Sequence, residues 1–365
     1  MTPTYMTAVQ LAGHGGFEKL EYRTDVAVPM PSAGEVLIRV GAAGINNTDV
    51  NTRIGWYSKN VTSGTEIGGE GGFEADVDDD GGWAGEGLSF PRIQGADAAG
   101  VIVDIGADVD PSRVGQRVLV RTMQAALTGD DPTACVTMGS ELDGGFAQFV
   151  AVRSEEALAI ECELTDVELA SFPCAYSTAE GMLHRAEVSA GERVLITGAS
   201  GGVGSAAVQL AKRRGALVVA VASKSKWADV EALGADELLD RGADLVEALG
   251  TETIDVVVDV VAGETWPTLL DVLRKQGRYV TAGAIAGPIV ELDVRTLYLK
   301  DLTLIGCTFQ PRVVFENLVG YIERGEIMPV VARAYPLSEI VAAQQDFLEK
   351  GFAGKLVLVP PEVES

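Results

Sequence analysis

Residues 193–216, RVLITGASGGVGSAAVQLAKRRGA, join an apolar strand to a helix through a glycine-rich turn, and this stretch decides the fold. Glycine at such a turn lets the backbone approach a bound group, and Gly204 also lets the helix pack closely on the strand. The free N–H groups and positive dipole end of the helix favour an anion such as a pyrophosphate. The stretch therefore predicts a dinucleotide site, although Ala199 stands at the first position of the usual glycine pattern; the alternative is a turn with a structural role only. The expected contacts are Gly198, Ser200, Gly201, Gly202, Val203 and Gly204.

The sequence around this stretch alternates between apolar strands and helices. After Glu192 the strand candidates are RVLITG, ALVVAVA, IDVVVDVV, GRYVTAG and LTLIGCT. Helical stretches fall between them, at residues 203–214, 227–233 and 264–275. This order predicts an α/β fold with a doubly wound parallel sheet, a Rossmann domain that we place at residues 161–309.

Residues 1–150 have a different pattern, in which short apolar stretches are separated by Gly, Asp and Pro turns. That pattern predicts a β-rich domain. A chain of 365 residues exceeds what one hydrophobic core usually supports, so two domains are expected. The tail after residue 309 is too short for a third domain, and we expect it to pack on the N-terminal one. The β-rich domain is therefore placed at residues 1–160 and 310–365.

The end of the second strand of the parallel sheet bears on the identity of the dinucleotide. An NAD-specific site places an Asp or Glu there, on the ribose 2′-hydroxyl. This chain has Ser223, Lys224, Ser225 and Lys226 instead. A hydroxyl and an ammonium can hold a 2′-phosphate, so Ser223 and Lys224 predict NADPH as the cofactor. The alternative is that the lysines are ordinary surface residues at a helix start.

Composition excludes several classes of partner. The 53 acidic and 28 basic residues give a net charge of −25, which repels a phosphate backbone and argues against nucleic-acid binding. No stretch reaches the roughly 18 apolar residues of a membrane span, and the N-terminus lacks a basic region followed by an apolar run. We therefore expect no membrane association and a cytoplasmic protein. The four cysteines form no CxxC pair, which argues against a disulfide framework and a four-cysteine zinc site.

One segment, residues 58–90, stands apart because it holds nine glycines and eight acidic residues. Such a composition predicts a long loop. Its DVDDDG, residues 76–81, reproduces the opening of a calcium-binding loop, but position twelve is Gly87 rather than Glu. Three interpretations stay open for this segment: a lid or rim over a substrate site, a plain solvated insertion, and a calcium site.

Motifs spread over almost the whole chain resemble those of the medium-chain dehydrogenases and reductases. They are GINNTDVNTRIGWY (44–57), PRIQGADAAGVIVDIG (91–106), VGQRVLV (114–120), DGGFAQFV (143–150), the glycine turn, and GKLVLV (354–359). Within that superfamily the chain is similar to the zinc-free branch of quinone oxidoreductases and enoyl reductases. The resemblance implies a GroES-like catalytic domain that is split around the Rossmann domain. It also implies that the acidic segment lengthens a connection that is much shorter in relatives.

The resemblance also bears on a metal site. Zinc alcohol dehydrogenases of this superfamily hold their catalytic metal with a Cys, a His and a second Cys, and the matching positions here are Asn46, Ala96 and Cys174. Zinc needs three protein ligands to act as a Lewis acid, and His14 and His184 lie outside the matching motifs. We therefore expect no metal, and we expect Cys174 to be a partly buried wall residue of the pocket.

The resemblance assigns candidate catalytic residues close to the first motif. Tyr57 matches the tyrosine that similar enoyl reductases use as a proton donor or carbonyl hydrogen-bond partner. Asn46 matches an asparagine near the nicotinamide that could bond the substrate carbonyl, and Thr48 matches the hydroxyl of a proton relay in alcohol dehydrogenases. Tyr57 could instead only line the mouth of the site, and Asn46 and Thr48 could only satisfy backbone groups.

By the same resemblance, further residues line the cofactor: Thr178, Val260, Gly283, Ala284, Thr308 and Lys355. The implied activity is NADPH-dependent, zinc-independent hydride transfer to a small molecule with an activated C=C bond or to a quinone. An alcohol dehydrogenase or carbonyl reductase that uses Thr48 is the alternative, and a non-catalytic nucleotide-binding protein is a third possibility. Relatives commonly pair Rossmann domains through the last strand, here residues 302–308, which implies a homodimer.

Overall fold

The computed structural model describes residues 2–73, 75–126 and 133–363 of the chain. In chain order, the strands in those ranges are β1 (Tyr5–Leu11), β2 (Leu20–Ala27), β3 (Glu35–Gly44), β4 (Arg92–Ile93), β5 (Ala99–Ile105), β6 (Arg117–Val120), β7 (Met123–Ala125), β8 (Cys135–Thr137), β9 (Phe149–Arg153), β10 (Ala157–Ala159), β11 (Arg193–Ile196), β12 (Leu217–Val221), β13 (Glu237–Leu239), β14 (Ile254–Asp259), β15 (Leu273–Thr281), β16 (Thr303–Gly306), β17 (Val331–Pro336) and β18 (Lys355–Val359). The α-helices are α1 (Asn47–Ile54), α2 (Thr65–Gly68), α3 (Asp166–Leu169), α4 (Pro173–Arg185), α5 (Gly202–Arg213), α6 (Trp227–Ala232), α7 (Leu245–Leu249), α8 (Trp266–Val272), α9 (Val294–Leu299), α10 (Arg312–Glu323) and α11 (Ile340–Glu349).

The predicted parallel sheet is present. Its six strands lie in the order β13-β12-β11-β14-β15-β16, and every neighbouring pair is parallel. Most apolar residues of β11, β12 and β14 are buried, as expected for strands that helices cover on both faces. From β11 the chain first runs to one side of the sheet and later returns to the other side at β14. The carboxyl ends of β11 and β14 therefore border a crevice at the point where the strand order reverses.

The helices around this sheet follow the sequence pattern with one exception. α5 and α6 start within a residue of the predicted helical stretches. The stretch predicted as a helix at 264–275 ends as a helix at Val272, because Leu273 starts β15 and pairs with Ile254 of β14. Strand pairing therefore overrides the helical pattern of the last three residues.

The β-rich part consists chiefly of strands from the first half of the chain. One sheet runs β10-β6-β5-β3-β18-β17, with β9 also paired to β3, and a second sheet runs β2-β1-β4. β18 comes from the end of the chain and pairs antiparallel with β3. This part and the parallel sheet together confirm the predicted GroES-like plus Rossmann architecture. The boundaries proposed at 160/161 and 309/310 stay predictions.

The helix that follows residue 310 packs beside the parallel sheet. Phe315 and Leu318 of α10 belong to the same hydrophobic cluster as Tyr176 and Leu183 of α4 and Leu210 of α5. The tail of the chain thus contributes to both cores, with α10 in one and β17 and β18 in the other. In the part of the chain that the structure describes, every helix is too short or too polar to reach across a lipid bilayer.

The start of β18 lies against the glycine turn. The N–H of Gly354 donates to the carbonyl oxygen of Ser200 over 2.9 Å, and the next residue, Lys355, is buried. β18 also pairs with β3 at Gly44, two residues before Asn46. The tail therefore joins the glycine turn to the first motif, at the crevice where the candidate site lies.

Candidate active site

The glycine turn between β11 and α5 has space only for glycine at its closest point. A Cβ on Gly204 would lie 2.1 Å from the carbonyl oxygen of Gly198, and one on Gly202 would lie 2.9 Å from Cδ of Lys355. Gly198 has a φ of +59°, a left-handed conformation that glycine adopts without strain. Gly201 precedes the first residue of α5, whose first N–H groups are free to bind an anion. Ser200 and Val203 lie in the same turn, so the structure brings these predicted residues together in a cradle that fits a dinucleotide pyrophosphate.

A buried network occupies the region of the three positions that match metal ligands. Nδ2 of Asn46 donates to Oδ2 of Asp97 over 2.7 Å, and Oδ1 of Asn46 accepts from Nζ of Lys355. Nζ of Lys355 also lies 2.9 Å from Oδ2 of Asp97. The other oxygen of Asp97 accepts the backbone N–H of Cys174 over 2.6 Å. Because a carboxylate accepts and an ammonium donates, these partners identify Nδ2 of Asn46 as the atom facing Asp97 and Oδ1 as the atom facing Lys355.

The side chains at Asn46, Ala96 and Cys174 are poorly suited to bind a metal, for three separate reasons. Both ends of the Asn46 amide are bonded within the protein, so the predicted bond from Asn46 to a substrate carbonyl competes with Asp97 and Lys355. Ala96 offers no side-chain donor atom. Burial raises the pKa of the Cys174 thiol well above its ordinary value, so the thiol stays protonated. Among the residues that the structure describes, no three His, Cys, Asp or Glu side chains are placed to hold a metal ion.

Asp49, which was not predicted from the sequence as a site residue, supports this region. Its carboxylate accepts the N–H of Asn46 over 2.7 Å and that of Ala96 over 3.0 Å, so one side chain holds two of the three positions. Burial raises the pKa of Asp49 to about 7. The signal was available, because an acid three residues after Asn46 at a helix start is typical of a capping box. Asp97, the only acid in the apolar run GADAAG, could also have been recognised.

Tyr57 and Thr48 form a pair of hydroxyl groups at the two ends of α1. The Tyr57 hydroxyl donates to Oγ1 of Thr48 over 2.9 Å. α1 ends at Ile54, and the next residue, Gly55, has a φ of +70° that turns the chain back towards the helix start and so places Tyr57 beside Thr48. Burial raises the pKa of Tyr57 well above its ordinary value, so the phenol keeps its proton. The two hydroxyls predicted as acid and relay are therefore within hydrogen-bond reach of each other.

The acidic segment 58–90, in which Glu74 lies outside the described residues, contacts this pair through Trp83. The Trp83 ring packs edge-on against the Tyr57 ring, with centroids 4.9 Å apart. The segment contains the short helix α2, which the loop prediction did not include. The N–H of Thr65, at the start of α2, donates to the carbonyl oxygen of Ile285 over 3.1 Å, so the segment also contacts the part that carries the parallel sheet. In the calcium-like pattern, the Asp80 carboxylate accepts the N–H of Lys59 over 3.0 Å.

The far end of the crevice carries the residues predicted to select NADPH. Ser223 precedes a short turn over Lys224–Lys226, and Lys224 is exposed there. Burial lowers the pKa of Lys226, and the nearby charges of Arg241 and Lys350 lower it further. Arg241, a base two residues after β13, was not among the residues predicted from the sequence. Several cations therefore lie together beside the end of β12.

The remaining cofactor candidates lie on several loops. Val260 and Gly283 lie beside the glycine turn: a Cβ on Gly198 would be 3.2 Å from Val260, and one on Gly283 would be 3.3 Å from the Val260 carbonyl oxygen. Thr178 on α4 accepts a hydrogen bond from Gln310 over 3.5 Å. Ala284 is half-buried next to Gly283, and Thr308 is exposed beyond the end of β16.

Comparison with known proteins agrees with this geometry. A family model described as "Alcohol dehydrogenase GroES-like domain" matches residues 73–161, and one described as "Zinc-binding dehydrogenase" matches residues 202–324. The chain is similar to a solved Sinorhizobium meliloti protein that is provisionally described as an alcohol dehydrogenase. The two are 48% identical over 99% of this chain and 98% of that chain, with a TM-score of 0.89.

Curated relatives cover the chain equally well. The quinone oxidoreductase of Mus musculus is 28% identical over 97% of this chain and 98% of its own length. The acryloyl-coenzyme A reductase of Metallosphaera sedula is 29% identical over 97% of this chain and 99% of its own length. The chain therefore belongs to the medium-chain dehydrogenase/reductase superfamily, in its quinone oxidoreductase-like branch, and is an oxidoreductase that uses a nicotinamide cofactor.

Proposed function

We propose that this oxidoreductase is NADPH-dependent and transfers hydride to an activated C=C bond or a quinone without a catalytic zinc. The observation that carries the proposal is the 2.9 Å bond between the hydroxyls of Tyr57 and Thr48. This pair lies next to positions where metal ligands would be expected and where Asn46 is bonded to Asp97 and Lys355 instead. A protonated phenol at this point supplies an electrophile that needs no metal.

The chemistry assigned to the chain is proton delivery and positioning. The cradle between β11 and α5 would hold NADPH, whose chemistry would be to supply a hydride for the β-carbon of an enone or enoyl group. Tyr57 would donate the proton from its hydroxyl to the enolate, and Thr48 would hold the phenol oxygen in place and relay a proton from solvent back to it. Trp83 packs edge-on against the Tyr57 ring and helps to hold it in place.

The preference for NADPH rests on the cations beside β12. No acid stands at 223–226, where an NAD-specific site would bond the ribose. Lys224 is exposed there, and Lys226, Arg241 and Lys350 lie close enough for their charges to interact. Such a cluster stabilises the charge of a 2′-phosphate, which NADH lacks.

Independence from zinc rests on the chemistry of the donor atoms. Ala96 has none, so Cys174 is the only one of the three residues with a side chain of a kind that zinc usually binds. The Asn46 amide already bonds to a carboxylate and an ammonium. Zinc binds thiolates, imidazoles and carboxylates, so these three residues fit it poorly.

A second candidate is a carbonyl reductase or alcohol dehydrogenase. The observation in its favour is the Sinorhizobium meliloti protein, 48% identical and provisionally described as an alcohol dehydrogenase. The same Tyr57 and Thr48 pair could protonate the oxygen of an aldehyde or ketone after hydride transfer.

One experiment separates these functions. Protein analysed for bound metal is assayed for NADPH and NADH oxidation against quinones, enones, enoyl thioesters and aldehydes. The proposal expects turnover with NADPH on the conjugated acceptors or quinones at substoichiometric zinc. Activity confined to aldehydes, or dependent on added zinc, would replace it with the second candidate. Tight NADPH binding without turnover on any acceptor would identify a nucleotide-binding protein instead.

The proposal includes a homodimer formed through the edge of the parallel sheet. β16 is the edge strand, and Leu304 on it is exposed. Val294, Tyr298 and Leu299 of α9 are exposed apolar or aromatic residues just before this strand in the chain. An exposed apolar edge supports pairing with a second copy. Light scattering after gel filtration should give twice the chain mass of 38.2 kDa, and a monomer mass would contradict the dimer.

A further inference from the structure

Trp83 brings the inserted acidic segment into contact with the proposed acid. Its ring lies 4.9 Å from the Tyr57 ring, centroid to centroid, with a 67° angle between the planes. On another side, the Trp56 ring lies 5.7 Å from Tyr57. Trp83 is half-buried, so part of the residue stays accessible to solvent. Trp83 therefore lies beside the ring that carries the proposed proton donor.

The position of Trp83 is fixed by its backbone. The N–H of Trp83 donates to Oγ of Ser140 over 3.2 Å, and the next N–H, that of Ala84, donates to Oε1 of Glu141 over 3.0 Å. Glu141 is itself held by the N–H of Thr137 over 2.9 Å. Ser140 is buried, in a turn of the β-rich part. Hydrogen bonds to Ser140 and Glu141 thus hold the backbone at Trp83 and Ala84 in place.

The other end of the segment borders the opposite side of the crevice. Thr65 donates to the carbonyl oxygen of Ile285, and a Cβ on Gly64 would lie 2.6 Å from that oxygen. Ile285 follows the predicted cofactor-lining residues Gly283 and Ala284. The segment therefore spans the crevice from the cofactor side at Ile285 to the Tyr57 side at Trp83.

The segment also carries exposed acidic residues close to Trp83 in the chain. Asp78, Asp79 and Glu86 are exposed, and the turn that carries Trp83 is closed by a bond from the N–H of Gly82 to the carbonyl oxygen of Glu86. Lys59 is the only base in residues 58–90. Carboxylates at a crevice mouth repel an anionic ligand and leave a neutral one unaffected.

We infer that Trp83 is a specificity-determining residue: with the acidic rim formed by Asp78, Asp79 and Glu86, it selects uncharged, planar conjugated acceptors such as enones, enals and quinones over coenzyme A thioesters. The indole offers a flat apolar surface that packs against a planar acceptor next to Tyr57. The phosphates of coenzyme A would have to pass carboxylates at this rim. This inference rests on the proposed function, and it assigns the substrate class for the same site.

The test measures binding and turnover separately, on the full-length protein with NADP⁺ or NADPH. Calorimetry gives the affinity of the NADP⁺ complex for an uncharged enone and for crotonyl-coenzyme A, and steady-state assays give kcat/KM for both. We expect the enone to be favoured in both measurements. Trp83→Ala should weaken enone binding about 2- to 10-fold, the size of one aromatic contact, and Trp83→Phe should retain most of it. The affinity for NADP⁺ should be unchanged in both variants.

The charge is tested with a rim variant, Asp78→Asn, Asp79→Asn and Glu86→Gln together. It should raise kcat/KM for crotonyl-coenzyme A about 10-fold or more at low salt, an effect that salt removes, while the enone is unaffected. The matched control is Glu231→Gln, Glu247→Gln and Asp271→Asn together. It removes three exposed acids from helices beside the parallel sheet and should leave kcat/KM unchanged for both the enone and crotonyl-coenzyme A.

The outcomes for the inference and the proposed function differ. Discrimination in binding without any turnover would support the selectivity and overturn the proposed function. Turnover on crotonyl-coenzyme A equal to that on the enone, or an unchanged enone affinity in Trp83→Ala, would overturn the inference and leave hydride transfer to C=C bonds intact.

Discussion

Nζ of Lys355 lies 2.9 Å from Oδ2 of Asp97, and both side chains are almost completely buried. The two residues are 258 positions apart, so this ion pair joins the last strand of the chain to the second motif. The same carboxylate bonds the Asn46 amide and the N–H of Cys174. One buried pair therefore sets the positions of two of the three residues that correspond to metal ligands in zinc relatives.

Lys355→Met should be strongly destabilising. It leaves the Asp97 carboxylate buried without its counter-charge, which costs about 3–5 kcal/mol in comparable cases. The free energy of unfolding, measured with urea, checks this. Lys212→Met is the matched control, because Lys212 forms a half-exposed pair with Asp236 and should lose less than about 1 kcal/mol.

The double variant Lys355→Met, Asp97→Asn tests whether the ion pair accounts for the loss of stability in Lys355→Met. Removing the unpaired charge should recover part of the stability, so the two changes should be non-additive by about 1 kcal/mol or more. Strictly additive losses would mean that Lys355 stabilises the protein through packing alone.

Tyr57→Phe should lower kcat on the best acceptor by about 100-fold or more, since it removes the proton donor and leaves the ring. The Kd for NADPH and the free energy of unfolding should stay close to those of the unchanged protein. Because burial raises the pKa of Tyr57 above its ordinary value, Tyr57 should stay protonated, and kcat should not fall through its ionisation as the pH rises towards 10. Tyr22→Phe, at an exposed tyrosine of β2, serves as the control. An undiminished kcat in Tyr57→Phe would remove Tyr57 from the mechanism.

Local signals in the sequence were enough for the parallel sheet and the glycine turn. β11, the turn and α5 are adjacent in the chain, so strand pattern, glycines and helix pattern point to the same structure. The end of α8 was missed because pairing between Leu273 and Ile254 is a tertiary effect that outweighs helical periodicity. The resemblance to known dehydrogenases supplied Tyr57 and Thr48, and the structure added their mutual hydrogen bond.

The contacts that sequence could not supply are those between distant segments. Lys355 was predicted to line the cofactor, and nothing local indicated its bond to Asp97. The bonding of Asn46 at both ends of its amide follows from that same long-range pair. Trp83 was one residue in a loop predicted from composition, and composition carries no information about which ring it contacts.

Gly204→Ala should destabilise the protein by about 1–3 kcal/mol, because the new Cβ would meet the Gly198 carbonyl oxygen, a backbone atom that cannot easily move. Gly201→Ala is the matched control in the same turn. Gly201 has a φ of −77°, and its Cβ would lie 3.4 Å from the same oxygen, an ordinary contact. Its effect on the free energy of unfolding should therefore be within about 1 kcal/mol. Equal losses in the two variants would contradict the close approach at Gly204.

Lys224→Ala combined with Arg241→Ala should lower kcat/KM for NADPH about 10- to 100-fold, the range for charge-assisted bonds to a phosphate. Values for NADH should hardly change, because NADH lacks the 2′-phosphate. Arg295→Ala, at an exposed arginine of α9, is the control and should leave kcat/KM for both coenzymes unaffected. A parallel fall for NADPH and NADH would mean that the two cations support the fold rather than select the coenzyme.

Asp49 should make stability depend on pH in a direction opposite to that of most carboxylates. Burial raises its pKa in the folded protein from 3.8 to about 7, so between those values the native state holds a proton that the unfolded chain has released. Raising the pH through this range therefore favours unfolding. Asp49→Asn cannot ionise and lacks this contribution.

The stability of the unchanged protein relative to Asp49→Asn should accordingly be greatest near pH 4, fall towards pH 7, and be constant above pH 8. A pKa difference of about 3 corresponds to at most about 4 kcal/mol over this range. Urea unfolding of both proteins at a series of pH values measures the difference directly. A difference that instead rises with pH would mean that the N–H groups of Asn46 and Ala96 hold Asp49 ionised in the folded protein, with a pKa below its ordinary value.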